Sequence, residues 1–173
     1  MGKAVDNASE EFAAVRTGRA NPSLFSNVLV EYYGAPTPLQ QLASFQNPEA
    51  RTLLITPYDR AALGDIEKAL RESELGANPA NDGNVIRVVM PELTEERRKE
   101  YVKVVHTKAE DARIAVRNVR RQAKDAIEKL VKDGQIGEDE GKRAEKDLDA
   151  STKKHIDQID AMLKNKEAEL LQV

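Results

Sequence analysis

The sequence predicts an α+β protein: an elongated three-helix bundle into which a small β/α/β domain is inserted. Three observations predict it. Residues 94–133 contain neither glycine nor proline and carry an unbroken heptad of small apolar residues, the pattern of one long helix. A second long helical stretch, 138–171, follows after a connection bracketed by Gly134 and Gly137, so the two form an antiparallel hairpin. The stretch 20–92 holds all seven prolines and five of the seven aromatic residues, the composition of a separate module.

The first helix is expected over residues 1–18, with Val5, Ala8, Phe12 and Val15 recurring at spacings of 3, 4 and 3. Pro22 lacks an amide donor and disfavours helical geometry at Asn21, so the segment 17–22 stops it. Residues 28–33 read as a strand closed by the turn-prone segment 34–38, and 42–45 and 52–56 as two more. After Pro57, Asp59 can cap a helix with Leu63, Ile66 and Leu70 on one face, stopped by Gly76. Asn81-Asp82-Gly83-Asn84 is a turn, and 85–90 a β-branched strand ended by Pro91.

Thr94 can cap the next helix, and Glu95 and Glu96 suit its positive end. Its seam, Val102, Val105, Ala109, Ala112, Val116, Val119, Ala123, Ala126 and Leu130, alternates spacings of 3 and 4 throughout. The partner helix carries a looser stripe of Leu148, Thr152, His155 or Ile156, Ile159, Leu163 and Leu170. The first helix shares the spacing but reaches only about 27 Å at the α-helical rise. Part of the long seam should therefore lack a third partner. The expected domains are 1–18 with 93–173 for the bundle, and 19–92 for the insertion, with two chain crossings near Arg19 and Pro91.

Composition narrows the function. Thirty acids against 27 bases leave a net charge of -3, so any nucleic-acid role needs bases concentrated locally. The absence of cysteine excludes disulfides, thiolate metal sites and cysteine nucleophiles. His106 and His155 are the only histidines and are expected to be buried or half-buried structural residues. No catalytic group, metal site or cofactor is expected, and no signal or membrane segment. The expectation is a cytoplasmic protein that works by binding.

The local concentration of bases lies in residues 113–124. Arg113, Arg117, Arg120, Arg121 and Lys124 fall within about 100° of helix circumference, roughly 120° from the seam. No acid lies between Ile114 and Ala123, and four of the five bases are arginine, whose planar fork suits phosphate. The bland alternative is a solvated face whose arginines pair with acids on neighbouring helices. A phosphate-binding surface is favoured, and without accompanying aromatic rings it suits folded RNA rather than stacked single strands. Arg16, Gly18 and Arg19 form a second, smaller candidate at the junction, where composition alone favours a frayed helix end and linker. The rival from another class is a coiled-coil adaptor or homodimeric interaction protein using the long seam.

Several motifs, in order, resemble the bacterial ribosome recycling factor family: Arg16-Thr17-Gly18-Arg19-Ala20-Asn21-Pro22, Glu31-Tyr32-Tyr33-Gly34 with Thr37-Pro38, Leu93-Thr94-Glu95-Glu96-Arg97-Arg98, and Val116-Arg117-Asn118-Val119-Arg120-Arg121. The Asn81-Asp82-Gly83 turn and Lys166-Glu167-Ala168-Glu169 agree with it. The resemblance implies an L-shaped arrangement of two domains joined by a two-stranded hinge, placed here at Gly18, Ala20, Asn21, Pro22, Pro91 and Glu92. It implies a factor that binds the post-termination ribosome, chiefly large-subunit RNA. With elongation factor G and GTP hydrolysis, such a factor splits the ribosome into subunits. It carries RNA contacts onto Arg16, Arg19, Arg117, Arg120 and Arg121, with Arg120 foremost, and implies a monomer without enzymatic activity of its own. Family members usually start a few helical turns earlier, so a shortened start is expected.

Overall fold

The structure, a computed structural model, describes residues 1–172. The chain forms two compact units. One comprises Met1–Phe12 with Lys103–Glu167, the other Ala13–Val102 with the chain end from Ala168. These divisions fall within helices.

The helix α1 (Gly2–Ala13) buries Ala8 and Phe12. It ends short of Gly18, and Val15, the last member of its apolar stripe, is buried beyond the helix. Asn21 then caps a 3₁₀ turn, Pro22–Phe25, its side chain accepting the Ser23 amide at 2.9 Å. Strands β1 (Leu29–Tyr32) and β2 (Ala35–Pro38) pair antiparallel. They are joined by Tyr33 and Gly34 at φ 49° and 77°, the positive angles that a two-residue hairpin turn demands. The expected turn at 34–38 is therefore two residues followed by a strand.

A single helical turn, α2 (Leu39–Leu42), leads into β3 (Ala43–Glu49) and β4 (Thr52–Pro57). The strand expected at 42–45 thus begins one residue later and runs further. Asp59 caps a 3₁₀ turn, Arg60–Ala62, that precedes α3 (Leu63–Glu72). β5 (Asn78–Asn81) and β6 (Ile86–Val89) complete an antiparallel sheet of order β3-β4-β6-β5. Both edge strands hold a proline, Pro48 and Pro79, where a missing amide donor is tolerated. β6 alternates Ile86 and Val88 inward with Arg87 and Val89 outward. Leu63, Ile66 and Leu70 of α3 join Phe25, Val30, Leu39, Leu53 and Ile55 in one core. Burial of each such side chain contributes about 1.5–3 kcal/mol.

Two long helices follow, α4 (Glu95–Lys132) and α5 (Glu138–Leu171). Thr94 accepts the Arg97 amide at 3.2 Å, the expected cap. Gly134 stops α4 at φ 71°, with its amide on the Val131 carbonyl and that of Gln135 on Leu130. Val105, Ala109, Ala112 and Val116 of the seam are buried, together with Thr152, Ile159 and Leu163 of α5. Along this stretch α1 supplies the third helix: Glu11 meets Lys108 at 3.1 Å and Met1 lies against Ser151 and Thr152. Beyond it, Val119 and Leu130 are 39% and 38% exposed, as the shorter first helix requires.

Candidate nucleic-acid interface

The α4 heptad that turns Val116 inward turns Arg113, Arg117, Arg120, Arg121 and Lys124 to one outer flank. The structure brings these five residues onto one stripe, and it also brings acids to them. Arg113 donates from Nε and Nη2 to Asp160 Oδ1 at 2.8 and 2.5 Å, and from Nη1 to Glu110 at 3.0 Å. Arg117 reaches the other oxygen of Glu110 at 3.1 Å. Arg120 places Nε and Nη2 on Asp149 Oδ1 at 2.8 and 2.7 Å. Lys124 faces Glu128 at 3.5 Å. Arg121 is exposed and makes no ion pair among the described residues.

The acid-free run between Ile114 and Ala123 did not keep the arginines unpaired: at its ends Glu110 and Glu128 meet Arg113 and Lys124 at i,i+3 and i,i+4 spacing within α4. Glu110 spans two turns to Arg117, and Asp149 and Asp160 arrive from α5, where no rule of i±3 or i±4 looks. The pairs differ in kind. The Arg113 side chain is only 20% exposed and held by two carboxylates, which raise its pKa above the ordinary guanidinium value, Asp160 most. It also helps hold the Glu110 carboxyl below its usual range, with Arg117 next. Arg117 and Arg120 remain 53% and 39% exposed. An exposed pair such as Arg120–Asp149 contributes about 0–1 kcal/mol, so its guanidinium can exchange a carboxylate for a phosphate at small cost.

The junction candidates separate. Arg19 is exposed and lines a hollow of about 520 Å³ in the second unit with Thr17, Gly18, Arg51, Glu92 and Arg98. The sequence reading did not single out Arg51 and Arg98, because they are close only in the fold. Arg16 instead turns into the protein, donating Nη1 to the Leu75 carbonyl at 3.5 Å and Nη2 to that of Pro91. Its Nε is buried without a partner among the described residues.

Of the hinge residues, Ala20 is buried, its amide on the Ala50 carbonyl at 2.7 Å and its own carbonyl taking Asn47 Nδ2 at 2.6 Å. Asn21 and Pro22 belong to the 3₁₀ turn. Gly18 has open space around it, and Glu92 meets Arg51 at 3.5 Å.

His155 is half-buried with Nδ1 against the Ser151 carbonyl, as expected, whereas His106 is exposed beside Glu167. Tyr32 and Tyr33 both donate to Asp59 Oδ2, a surface cluster that the strand reading passed over. Among the described residues no group of acids and histidines is placed to hold a metal ion, and no helix is long and apolar enough to cross a membrane.

A helical bundle interrupted by a β/α/β module, with arginines along the outer flank of its longest helix, defines an α+β protein of the bundle-with-insertion class. The chain belongs to the ribosome recycling factor family, whose model matches residues 8–171. It is 82% identical over 171 residues to the ribosome-recycling factor of Kocuria rhizophila, which covers 99% of this chain and 92% of that one. A solution structure of ribosome recycling factor is similar at TM-score 0.79 and 46% identity, covering 99% and 91% of the two chains. A second similar structure is of models for the T. thermophilus ribosome recycling factor and the E. coli elongation factor G bound to the E. coli post-termination complex. Its similarity is TM-score 0.70 at 44% identity, with 99% and 92% covered.

Proposed function

We propose that this chain binds the post-termination ribosome as a monomer in the cytoplasm. With elongation factor G and GTP hydrolysis it splits the ribosome into subunits. The observation that supports it most is the α4 stripe, whose outer guanidiniums are exposed and only weakly held. Arg117, Arg120, Arg121 and Lys124, with Arg19, dock on phosphates of large-subunit RNA, and released counterions drive the association. Arg113 braces α4 against α5. The chain performs no chemistry of its own; hydrolysis belongs to the GTPase.

The bundle, 1–18 with 93–173, is the docking body, and 19–92 is the part moved by elongation factor G. Because Ala20, Asn21 and Pro22 are pinned by hydrogen bonds and the 3₁₀ turn, bending concentrates in residues 17–19, whose hydrogen bonds among the described residues run only between Thr17 and Arg19, and at Glu92, held by one exposed ion pair.

The test is pelleting of the chain with vacant ribosomes at several salt concentrations. Binding should weaken steeply with salt, and Arg120→Ala should reduce the slope of log affinity against log salt by about one while helicity is retained. Equal binding by Arg120→Ala at every salt would remove Arg120 from the interface.

A further inference from the structure

We infer that Arg16 is a positioning residue, a latch that ties the chain leaving α1 to the chain approaching α4. The resemblance makes it a phosphate ligand; its surroundings give it another task. Its two terminal nitrogens donate to main-chain carbonyls 59 and 75 positions away, Leu75 and Pro91. No carboxylate meets it among the described residues, and its Nε is enclosed by protein. A guanidinium facing two carbonyls at once uses the planar fork that a lysine lacks.

The latch completes a pattern. Ala50 and Arg51, at the turn between β3 and β4, receive the amides of Ala20 and Met90 at 2.7 and 2.8 Å. The incoming and outgoing segments are thus cross-tied once by that turn and a second time by Arg16 to Pro91. All of these residues lie in the second unit. Leu75 precedes Gly76, which takes a φ of 65° where the chain turns from α3 towards β5. Arg16 therefore joins three segments, adding the turn after α3 to the two that the β3–β4 turn already ties. Its consequence for ribosome splitting rests on the joint proposed at residues 17–19 and Glu92; the latch itself does not.

Hydrogen exchange on the free, full chain tests the latch, with Arg16→Lys and Arg16→Gln compared with wild type and helicity checked by circular dichroism. Arg16→Lys keeps the charge and the aliphatic stem, so it guards against simple misfolding. The amides of Ala20 and Met90 should exchange on the order of tenfold faster in both variants, the equivalent of one lost charge-assisted hydrogen bond. The salt slope of ribosome pelleting should match wild type in both. Wild-type exchange at Ala20 and Met90, together with a slope reduced by about one in Arg16→Gln but not in Arg16→Lys, would overturn the latch and make Arg16 a phosphate ligand. Should the wild-type chain fail to pellet at any salt, the ribosome reading fails while the exchange result still decides the latch.

Discussion

Asp149 of α5 holds Arg120 of α4 by one oxygen, with Nε at 2.8 Å and Nη2 at 2.7 Å. The carboxylate therefore competes with any phosphate that the same fork would bind. Asp149→Asn should raise ribosome affinity at low salt while changing folding stability by no more than about 1 kcal/mol. The gain should vanish when Arg120→Ala is added, because the two residues then no longer interact. Pelleting of wild type, both single variants and the double variant measures the coupling. An Asp149→Asn gain that survives in the Arg120→Ala background would mean the carboxylate acts only through long-range repulsion.

The Asp59 carboxylate gives unit two a pH dependence. It accepts the Ala61 amide at 2.9 Å and the hydroxyls of Tyr32 and Tyr33 at 2.9 and 3.3 Å. The Ala61 amide most, then Tyr32, holds its pKa below the ordinary value, and the same contact raises that of Tyr32. For the acid, a folded pKa below the unfolded one gives stability that is present above the unfolded value and lost as pH falls through the folded one. For the phenol the sign reverses: its contribution is complete below its unfolded pKa and lost as pH rises through the raised value. Urea midpoints should fall between about pH 5 and pH 2 more steeply for wild type than for Asp59→Asn. Parallel curves would show that the cap bond alone, without its charge, sustains the turn.

Gly141 of α5 packs tightly against Val131 of α4. A Cβ on Gly141 would lie 2.6 Å from Val131 Cγ2. Alanine normally stabilises a helix interior by about 1 kcal/mol over glycine. Here the methyl meets a β-branched side chain with one preferred helical rotamer, so it cannot be avoided by a swing. Gly141→Ala should therefore destabilise by about 1–3 kcal/mol, and adding Val131→Ala should recover much of the loss. Denaturant melts of the three variants decide the sign.

The helical part of this fold is legible in the sequence because its signals are local and repeated: heptad spacing, a Thr94 cap, a Gly134 stop. The strands β2 and β5 are not: Pro36 and Pro38 read as turn residues and the stretch around Pro79 carries no strand signal, until an edge position makes these prolines harmless. The site divides in the same way. Which residues line the α4 flank follows from 100° per residue, but their partners do not. Asp149 and Asp160 lie far along the chain from Arg120 and Arg113, and only the packing of α5 brings them together. Arg16 is the hardest case, because main-chain carbonyls leave no mark in a sequence.

The seam predicts a gradient in stability along the bundle. Ile159 is fully buried opposite the stretch that α1 covers, and Leu130 is 38% exposed beyond it. Ile159→Ala should cost about 2–5 kcal/mol through lost burial and the cavity left behind. Leu130→Ala should stay within about 0.5 kcal/mol, as surface positions do. Urea unfolding at two protein concentrations tenfold apart measures both and tests association at the same time. If Leu130→Ala costs as much as Ile159→Ala, and the wild-type midpoint rises with concentration, the outer seam is covered by a second copy in solution. That result would favour the homodimeric reading of the heptad over a monomer. Concentration-independent midpoints with a small Leu130→Ala effect would leave the outer seam as a two-helix stretch stabilised by α4 and α5 alone.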